Sequence, residues 1–373
     1  MGRHGAEGRT TPFRWAVIGT GQAAQRFVAG LRSADHARPV VVVSRSQERA
    51  EAFARRSGTA RAVTDIRAAV EARDVDAVYI ATPPAAHLGP ALLALAAGRP
   101  CLVEKPFALD ADEARRIADT ARRGSTFCME AMWTRFLPAV RETKRLVAMG
   151  ALGEIRLLSA SFATRQAFGP GSHVLDPAGG GGALMDRGVY PLSLAVHLLG
   201  EPEQAAGQAA FGPSGVDDEV AAVLRHASGA LTQVSAGFRT EATNDLVVMG
   251  TEAVLRLGAP IYRPSRVSVR PVRGRPAAGA ERAARLCEDS GLVHAVRQRL
   301  AFVGGPKSRG RLLRYRGNGY GHQADEVRRC VEAGSTESPV MPLDESVAVL
   351  EVVAAVRRSW VGVDHGRLEA MAR

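Results

Sequence analysis

The chain has little lysine, little cysteine and few aromatic side chains. Only Lys105, Lys144 and Lys307 are lysine among 49 basic residues, so wherever positive charge alone is needed, arginine supplies it. A compact ammonium with a movable pKa does chemistry that a guanidinium does not, so a lysine placed at a strand end stands out. The four cysteines, Cys101, Cys128, Cys287 and Cys330, are scattered without a CxxC pair or matching histidine spacing. That pattern gives neither a disulfide framework nor a metal site, and buried free thiols are expected. No run approaches the roughly 18 apolar residues of a membrane span. Residues 1–13 hold no hydrophobic signal region, and Ala6 stands where a myristoylation signal wants a hydroxyl. A cytoplasmic protein with no membrane partner is expected.

With 373 residues, 46% hydrophobic and 23% charged, the chain suffices for two ordinary globular domains. A net charge of +11 raises the question of nucleic-acid binding. Its distribution answers against it. Between Arg263 and Arg316 stand fourteen Arg or Lys against three acids, an excess equal to the charge of the whole chain. That segment lacks an aromatic stacking series and is punctuated by Pro264, Pro271, Pro276 and several glycines. It reads as a basic, loop-rich insertion with a short helix at Ala295–Phe302, and no specific nucleic-acid partner is expected.

From Arg14 to Met129, short apolar runs alternate with amphipathic stretches, the pattern of βαβ units on a parallel sheet. After about Met132 strands follow strands, which indicates a mainly antiparallel sheet. The expected class is α/β: an N-terminal Rossmann domain over 13–131, then a C-terminal α/β domain over 132–362 with a large, mostly antiparallel sheet and the basic stretch 263–316 inserted in it.

Gly19-Thr20-Gly21-Gln22-Ala23-Ala24 follows Val17-Ile18 and matches the G-x-G-x-x-A dinucleotide fingerprint. Its glycines permit a tight turn and close approach of a pyrophosphate to the next helix's N-terminus. The second strand ends in Ser44-Arg45-Ser46, where an NAD site usually carries an acid. A cation and hydroxyls suit a 2′-phosphate, so NADP is favoured over NAD. Ala81-Thr82-Pro83 ends the fourth strand, at the same sheet edge. His87, five residues past Thr82, either contacts a ligand or caps the following helix. Glu104-Lys105-Pro106 then places an ammonium at the carboxyl end of the fifth strand, where open α/β sheets bind ligands. Gly179 to Gly182 lead into a helix on which Asp186 and Tyr190, four apart, share a face, and His197 lies two turns further on.

These motifs, in this order, resemble the Gfo/Idh/MocA family of NAD(P)-dependent oxidoreductases from about Phe13 to Trp360. The segment Met129–Phe136, with Tyr190 where many relatives have histidine, is similar to the branch of dimeric dihydrodiol dehydrogenases and NADP-dependent D-xylose dehydrogenases. The resemblance implies a site between the domains, an open sheet face that mediates dimerisation, and Lys105 with Tyr190 as the catalytic pair. It also places Asp186, Trp133, Arg156 and Phe162 near the substrate. The glycine turn, Ser44, Arg45, Thr82, Pro83, His87, Glu104 and Lys105 would hold the cofactor.

The resulting expectation is an NADP-dependent dehydrogenase acting on a sugar, an aldose at C1 first, or on a cyclic trans-diol. Tyr190 would exchange the hydroxyl proton, its phenolate stabilised and its pKa lowered by Lys105. Asp186 would bind a substrate hydroxyl or tune Lys105. Two other readings stay open: an NAD-dependent glycosidase on the same fold, against which Arg45 speaks, and a cofactor-binding regulator without catalysis.

Overall fold

A computed structural model describes residues 11–169, 171–272 and 309–360. Its first sheet has six parallel strands: β1 (Phe13–Ile18), β2 (Ala37–Val43), β3 (Arg61–Val63), β4 (Ala77–Ile80), β5 (Cys101–Val103) and β6 (Cys128–Glu130). They lie in the order β3-β2-β1-β4-β5-β6, which reverses direction at β1 and opens a ligand crevice beyond the strand carboxyl ends. Helices α1 (Gln22–Leu31), α2 (Gln47–Ser57), α3 (Ile66–Val70), α4 (Leu88–Ala96) and α5 (Ala111–Arg123) supply the crossovers. Because both sheet faces are covered, the strands are continuous apolar runs; Trp15 to Ile18 and Val40 to Val43 are all buried. Helix α2 is capped by Ser46, whose Oγ accepts from the Arg49 amide at 3.3 Å, and α5 by Asp110, which accepts from Glu113 at 2.8 Å. Helix α1 has no side-chain cap and no acid in its first turn.

The second sheet has eight strands. After α6 (Pro138–Ala148) come β7 (Ile155–Ala163), α7 (Val189–Leu199), β8 (Pro202–Phe211), β9 (Asp217–His226), β10 (Leu231–Gly237), β11 (Leu246–Gly250), β12 (Ala253–Leu257), β13 (Arg266–Pro271) and β14 (Arg309–Leu312). The order is β14-β13-β12-β11-β7-β10-β9-β8; β7 and β10 run parallel and the other pairs antiparallel. Alternation is clean: Val220, Ala222 and Leu224 are buried while Val223 between them is 52% exposed, so one face packs on helices and the other is open. Helix α8 (Gly321–Glu332) lies against α1, and α9 (Leu343–Arg358) packs on α5, α7 and β8. One continuous apolar core runs from Phe13 to Val356 through both sheets.

The basic stretch departs from its reading as loop. Its flanks form β13 and β14, paired antiparallel with Val267 opposite Arg311. The alternation Arg266-Val267-Ser268-Val269-Arg270, with Val267 buried, was obscured by the neighbouring prolines and the density of arginine. Residues 273–308, including the expected helix Ala295–Phe302 and Cys287, lie outside the described residues. Among the described residues, no helix is long and apolar enough to cross a membrane.

Candidate active site

The strand carboxyl ends of the first sheet bring three turns together. Gly19 has φ +110, and a Cβ there would stand 2.4 Å from the Ala81 carbonyl oxygen, so only glycine lets the β1–α1 turn pass the end of β4. Gly21 is exposed, and a Cβ on it would meet no protein atom within 4 Å. With Gln22 and Ala23 it opens the uncapped N-terminus of α1, whose free amides suit a pyrophosphate. Arg45 is exposed and Ser44 half-buried at the end of β2. The Ser46 hydroxyl is engaged in capping α2 and Ser44 Oγ accepts from the Ser46 amide at 3.5 Å, which leaves Arg45 exposed there. The residues present therefore fit a dinucleotide.

Two residues expected at the cofactor turn inward instead. His87 is fully buried, with Nε2 2.8 Å from the Thr82 carbonyl and Nδ1 3.1 Å from that of Pro106. It ties the Thr82-Pro83 turn to the turn after Lys105, and burial lowers its pKa to about 4. The Glu104 side chain is 5% exposed and accepts hydrogen bonds from the Tyr79 hydroxyl and, at 3.1 Å, from the Lys105 amide. Thr82 holds its own turn through Oγ1, which donates to the Ala86 carbonyl at 2.9 Å.

Lys105 reaches out from this edge to the second half of the chain. Its Nζ donates to Asp186 Oδ1 at 3.0 Å and to the Asp186 carbonyl at 2.8 Å, and lies 5.0 Å from the centre of the Tyr190 ring. Burial alone would lower the ammonium's pKa, but Asp186, Tyr190 and Glu104 outweigh it and raise it, so Lys105 stays charged. Burial pushes Asp186 up, yet Lys105 holds it below its ordinary value.

Tyr190 differs from expectation. Burial raises its pKa and Lys105 only partly offsets this, because the ammonium is bonded to Asp186 and faces the ring, not the hydroxyl. The Trp133 indole N–H is near enough to favour the phenolate but makes no hydrogen bond of good geometry.

The local fold explains why these groups meet. The expected helix does not start as a regular helix: Leu184–Gly188 form a wider π turn before α7. Pro191 has no amide hydrogen to close on the Arg187 carbonyl four residues back. The glycine run packs against protein rather than opening toward a cofactor. A Cβ on Gly181 would stand 2.5 Å from the Val174 carbonyl, and one on Gly182, at φ +111, would stand 2.0 Å from Asp217 Oδ1. Asp217 in turn accepts from the Leu184 amide at 2.6 Å and fixes the start of the turn that carries Asp186.

Aromatic rings wall the cluster. Phe162 meets Tyr190 edge-on at 5.4 Å and stacks on Tyr262 at 5.1 Å; Trp133 stacks on Tyr320 at 4.7 Å. Thr134 Oγ1 donates to the Tyr262 carbonyl at 2.6 Å, joining the Trp133 segment to this wall. The sequence reading missed Tyr262 and Tyr320, which lie far along the chain; the glycines around Tyr320 were the available signal. Gly319, at φ +92, would with a Cβ stand 2.9 Å from the Trp133 ring. Arg156 is not brought here: it is exposed at the start of β7 and pairs with Glu154 at 2.6 Å. Arg187 is buried, 4.6 Å from the Phe238 ring, and donates to the Gln166 side chain at 2.8 Å. His197 is buried beside Glu345 at 3.7 Å, away from the Lys105 cluster.

A dinucleotide-binding sheet edge beside a half-buried lysine and aspartate and a buried tyrosine defines a nicotinamide-dependent oxidoreductase. Comparison makes the assignment specific. Residues 13–132 match the model of the oxidoreductase family with the NAD-binding Rossmann fold, and 140–256 match the GFO/IDH/MocA C-terminal domain. The chain belongs to the Gfo/Idh/MocA family of oxidoreductases. It is 31% identical over 355 residues to the trans-1,2-dihydrobenzene-1,2-diol dehydrogenase of Oryctolagus cuniculus, covering 93% of this chain and 98% of the relative. Among solved structures, a 3-ketoreductase from Actinomadura kijaniata in complex with NADP and TDP-benzene superposes with TM-score 0.75, 25% identity and coverage of 94% and 98% of the two chains. Levoglucosan dehydrogenase, in complex with NADH and levoglucosan, shares the fold with TM-score 0.77 at 22% identity, covering 94% and 97%.

Proposed function

We propose that the protein is an NADP-dependent dehydrogenase that moves a hydride between the nicotinamide and a carbinol carbon. The substrate is a sugar, first an aldose at C1, or a cyclic trans-diol. The observation that carries this reading is the Lys105 ammonium set between Asp186 and the Tyr190 ring at the ligand edge of the parallel sheet. The nicotinamide, when bound, supplies the hydride acceptor or donor. In oxidation the carbinol C–H pair leaves as hydride, the O–H proton passes to the Tyr190 oxygen and a carbonyl forms. In reduction Tyr190 returns the proton to the carbonyl oxygen. Burial keeps that proton on Tyr190 at neutral pH, so the reductive direction starts from the right form and oxidation accelerates as pH rises. Asp186, 32% exposed in its side chain, holds Lys105 in place through Oδ1 and offers Oδ2, 4.0 Å from Arg187 Nε, to a substrate hydroxyl. Phe162, Trp133 and Tyr262 give the apolar wall against which a ring lies.

Ser44 and Arg45 support NADP over NAD, since a guanidinium pairs with a 2′-phosphate and gives a bare diol no acid to bond. The reading divides the chain into a cofactor domain over 13–131 and a substrate and dimerisation domain over 132–362, which the family models at 13–132 and 140–256 support. A cytoplasmic homodimer is part of it, supported by Val223 and Leu231 on the open sheet face at 52% and 42% exposure. The test is a panel of pentoses, hexoses and cyclic diols assayed with NADP and NAD by absorbance of the reduced cofactor. Turnover of a sugar or diol with NADP preferred is expected, and no reduction of either cofactor across the panel would refute the reading.

A further inference from the structure

The side chain next to Asp186 is one that the proposed chemistry leaves unused. Arg187 is 3% exposed, and a guanidinium is costly to bury unless its N–H groups are met. Its Nη1 donates to the carbonyls of Thr164 and Gly237, which stand where the parallel strands β7 and β10 end. Nη2 donates to Gln166 Oε1 at 2.8 Å. The rings of Phe238 and Phe162 lie 4.6 Å and 5.6 Å from its Cζ. Both ends of the fork are therefore anchored, and the guanidinium holds one orientation. The remaining donor, Nε, faces Asp186 Oδ2 at 4.0 Å, beyond the reach of a direct hydrogen bond.

The facing carboxylate is anchored in the same way. Oδ1 accepts from Lys105 Nζ at 3.0 Å, which leaves Oδ2 and Arg187 Nε as an acceptor and a donor held a fixed distance apart. Such a gap is spanned by one oxygen atom about 2.8–3.0 Å from each group. That atom must accept from the nitrogen and donate to the carboxylate. A hydroxyl does both, whereas an ether or carbonyl oxygen only accepts and an ammonium only donates. The pair is reached from the Asp186 side, where the side chain is 32% exposed. Phe162, part of the aromatic wall, adjoins both the guanidinium and, at 5.4 Å, the Tyr190 ring.

We propose that Asp186 Oδ2 and Arg187 Nε form a two-point subsite for a second hydroxyl of the substrate, beside the carbinol served by Tyr190. Arg187 is then a specificity-determining residue that favours polyols over simple alcohols. The proposal deepens the dehydrogenase reading and rests on it in calling the bound polyol a substrate; the binding itself does not require turnover.

The probes are trans-cyclohexanediol and cyclohexanol, which share a ring and one carbinol and differ only in the second hydroxyl. Dissociation constants are measured on the protein loaded with NADPH, where an alcohol binds without reacting. The wild type should bind the diol about 10- to 100-fold more tightly, from the worth of hydrogen bonds to charged groups. In Arg187→Met that preference should shrink by about tenfold. Arg187→Lys, whose ammonium serves the two carbonyls and leaves no N–H beside Asp186, should show the same loss although it keeps the charge. NADPH affinity reports that each variant is folded, and if one fails to fold the other decides. An arginine that only staples the strand ends would weaken both alcohols alike. A preference unchanged within about twofold in a folded variant, or no preference for the diol in the wild type, overturns the proposal. Turnover of the panel alcohols with NADP is read separately. The expected preference without turnover of any alcohol supports the subsite and refutes the dehydrogenase reading, while turnover with a preference indifferent to Arg187 refutes the subsite alone.

Discussion

The two halves of the site are built by different means. On the first sheet the ligand edge is made of short turns, each immediately following its strand: Gly19 after β1, Thr82-Pro83 after β4, Glu104-Lys105-Pro106 after β5. The second half assembles its wall from Trp133, Phe162, Tyr190, Tyr262 and Tyr320, which come from five separate elements and meet only through tertiary packing. The difference teaches where each glycine or charge is spent. In the first half Gly19 makes room for the Ala81 carbonyl and Gly21 faces open space at the ligand edge; in the second, Gly181 and Gly182 make room for the Val174 carbonyl and for Asp217.

The largest expected effect comes from cutting the side chain that joins Asp186 and Tyr190 to the sheet edge. Lys105→Met removes the ammonium that donates to Asp186 and lies beside the Tyr190 ring, leaving Asp186 only the more distant Arg187 at 4.0 Å. Turnover should fall by about 10²- to 10⁴-fold in steady-state assays with NADP and the best panel substrate. Lys105→Arg should be severely impaired as well, since a guanidinium does not fit the compact site.

Glycine substitutions sharpen the contrast. Gly182→Ala forces a Cβ into Asp217 at positive φ and should cost at least about 1–3 kcal/mol in denaturant unfolding. Gly21→Ala meets open space and should cost less than about 1 kcal/mol, while weakening NADP binding by crowding the pyrophosphate. Equal losses of stability in the two variants would erase the distinction. Within the first half, Arg45→Ala should raise the Michaelis constant for NADP by roughly tenfold or more and leave that for NAD nearly unchanged, from the worth of a charge-assisted contact.

The smallest effect concerns the tie between the ligand-edge turns. His87 is pulled from 6.5 to about 4 by burial, so between those values the unfolded chain binds the extra proton. Its contribution to stability is whole above 6.5, declines as pH falls, and is lost once pH passes about 4. Chemical denaturation across that range should show a shallower slope in His87→Gln than in the wild type.

The first half was legible because its determinants are local. Continuous apolar runs and a glycine turn after β1 sit next to what they control. The parallel pairing of β7 with β10 and the strands within the basic stretch were not, because arginine-rich alternation beside prolines looks the same in a loop. Asp186 and Tyr190 were found as neighbours, but the π turn that sets their spacing follows from Pro191 and from Asp217, 31 residues after Asp186. Arg156 was placed at the substrate by resemblance, whereas its nearest acid, Glu154, holds it at the strand's exposed start. Glu104 and His87 were read as facing the cofactor because a motif shows order along the chain, not which way a side chain turns.

The central claim, that the Lys105–Asp186–Tyr190 cluster carries the chemistry, is tested most directly by Tyr190→Phe, which keeps the ring against Phe162 and removes the proton carrier. NADP affinity should stay at the wild-type value while turnover falls by about 10²- to 10⁴-fold. Retention of more than about a tenth of wild-type turnover, with NADP bound normally, would contradict the account and assign the proton to another group.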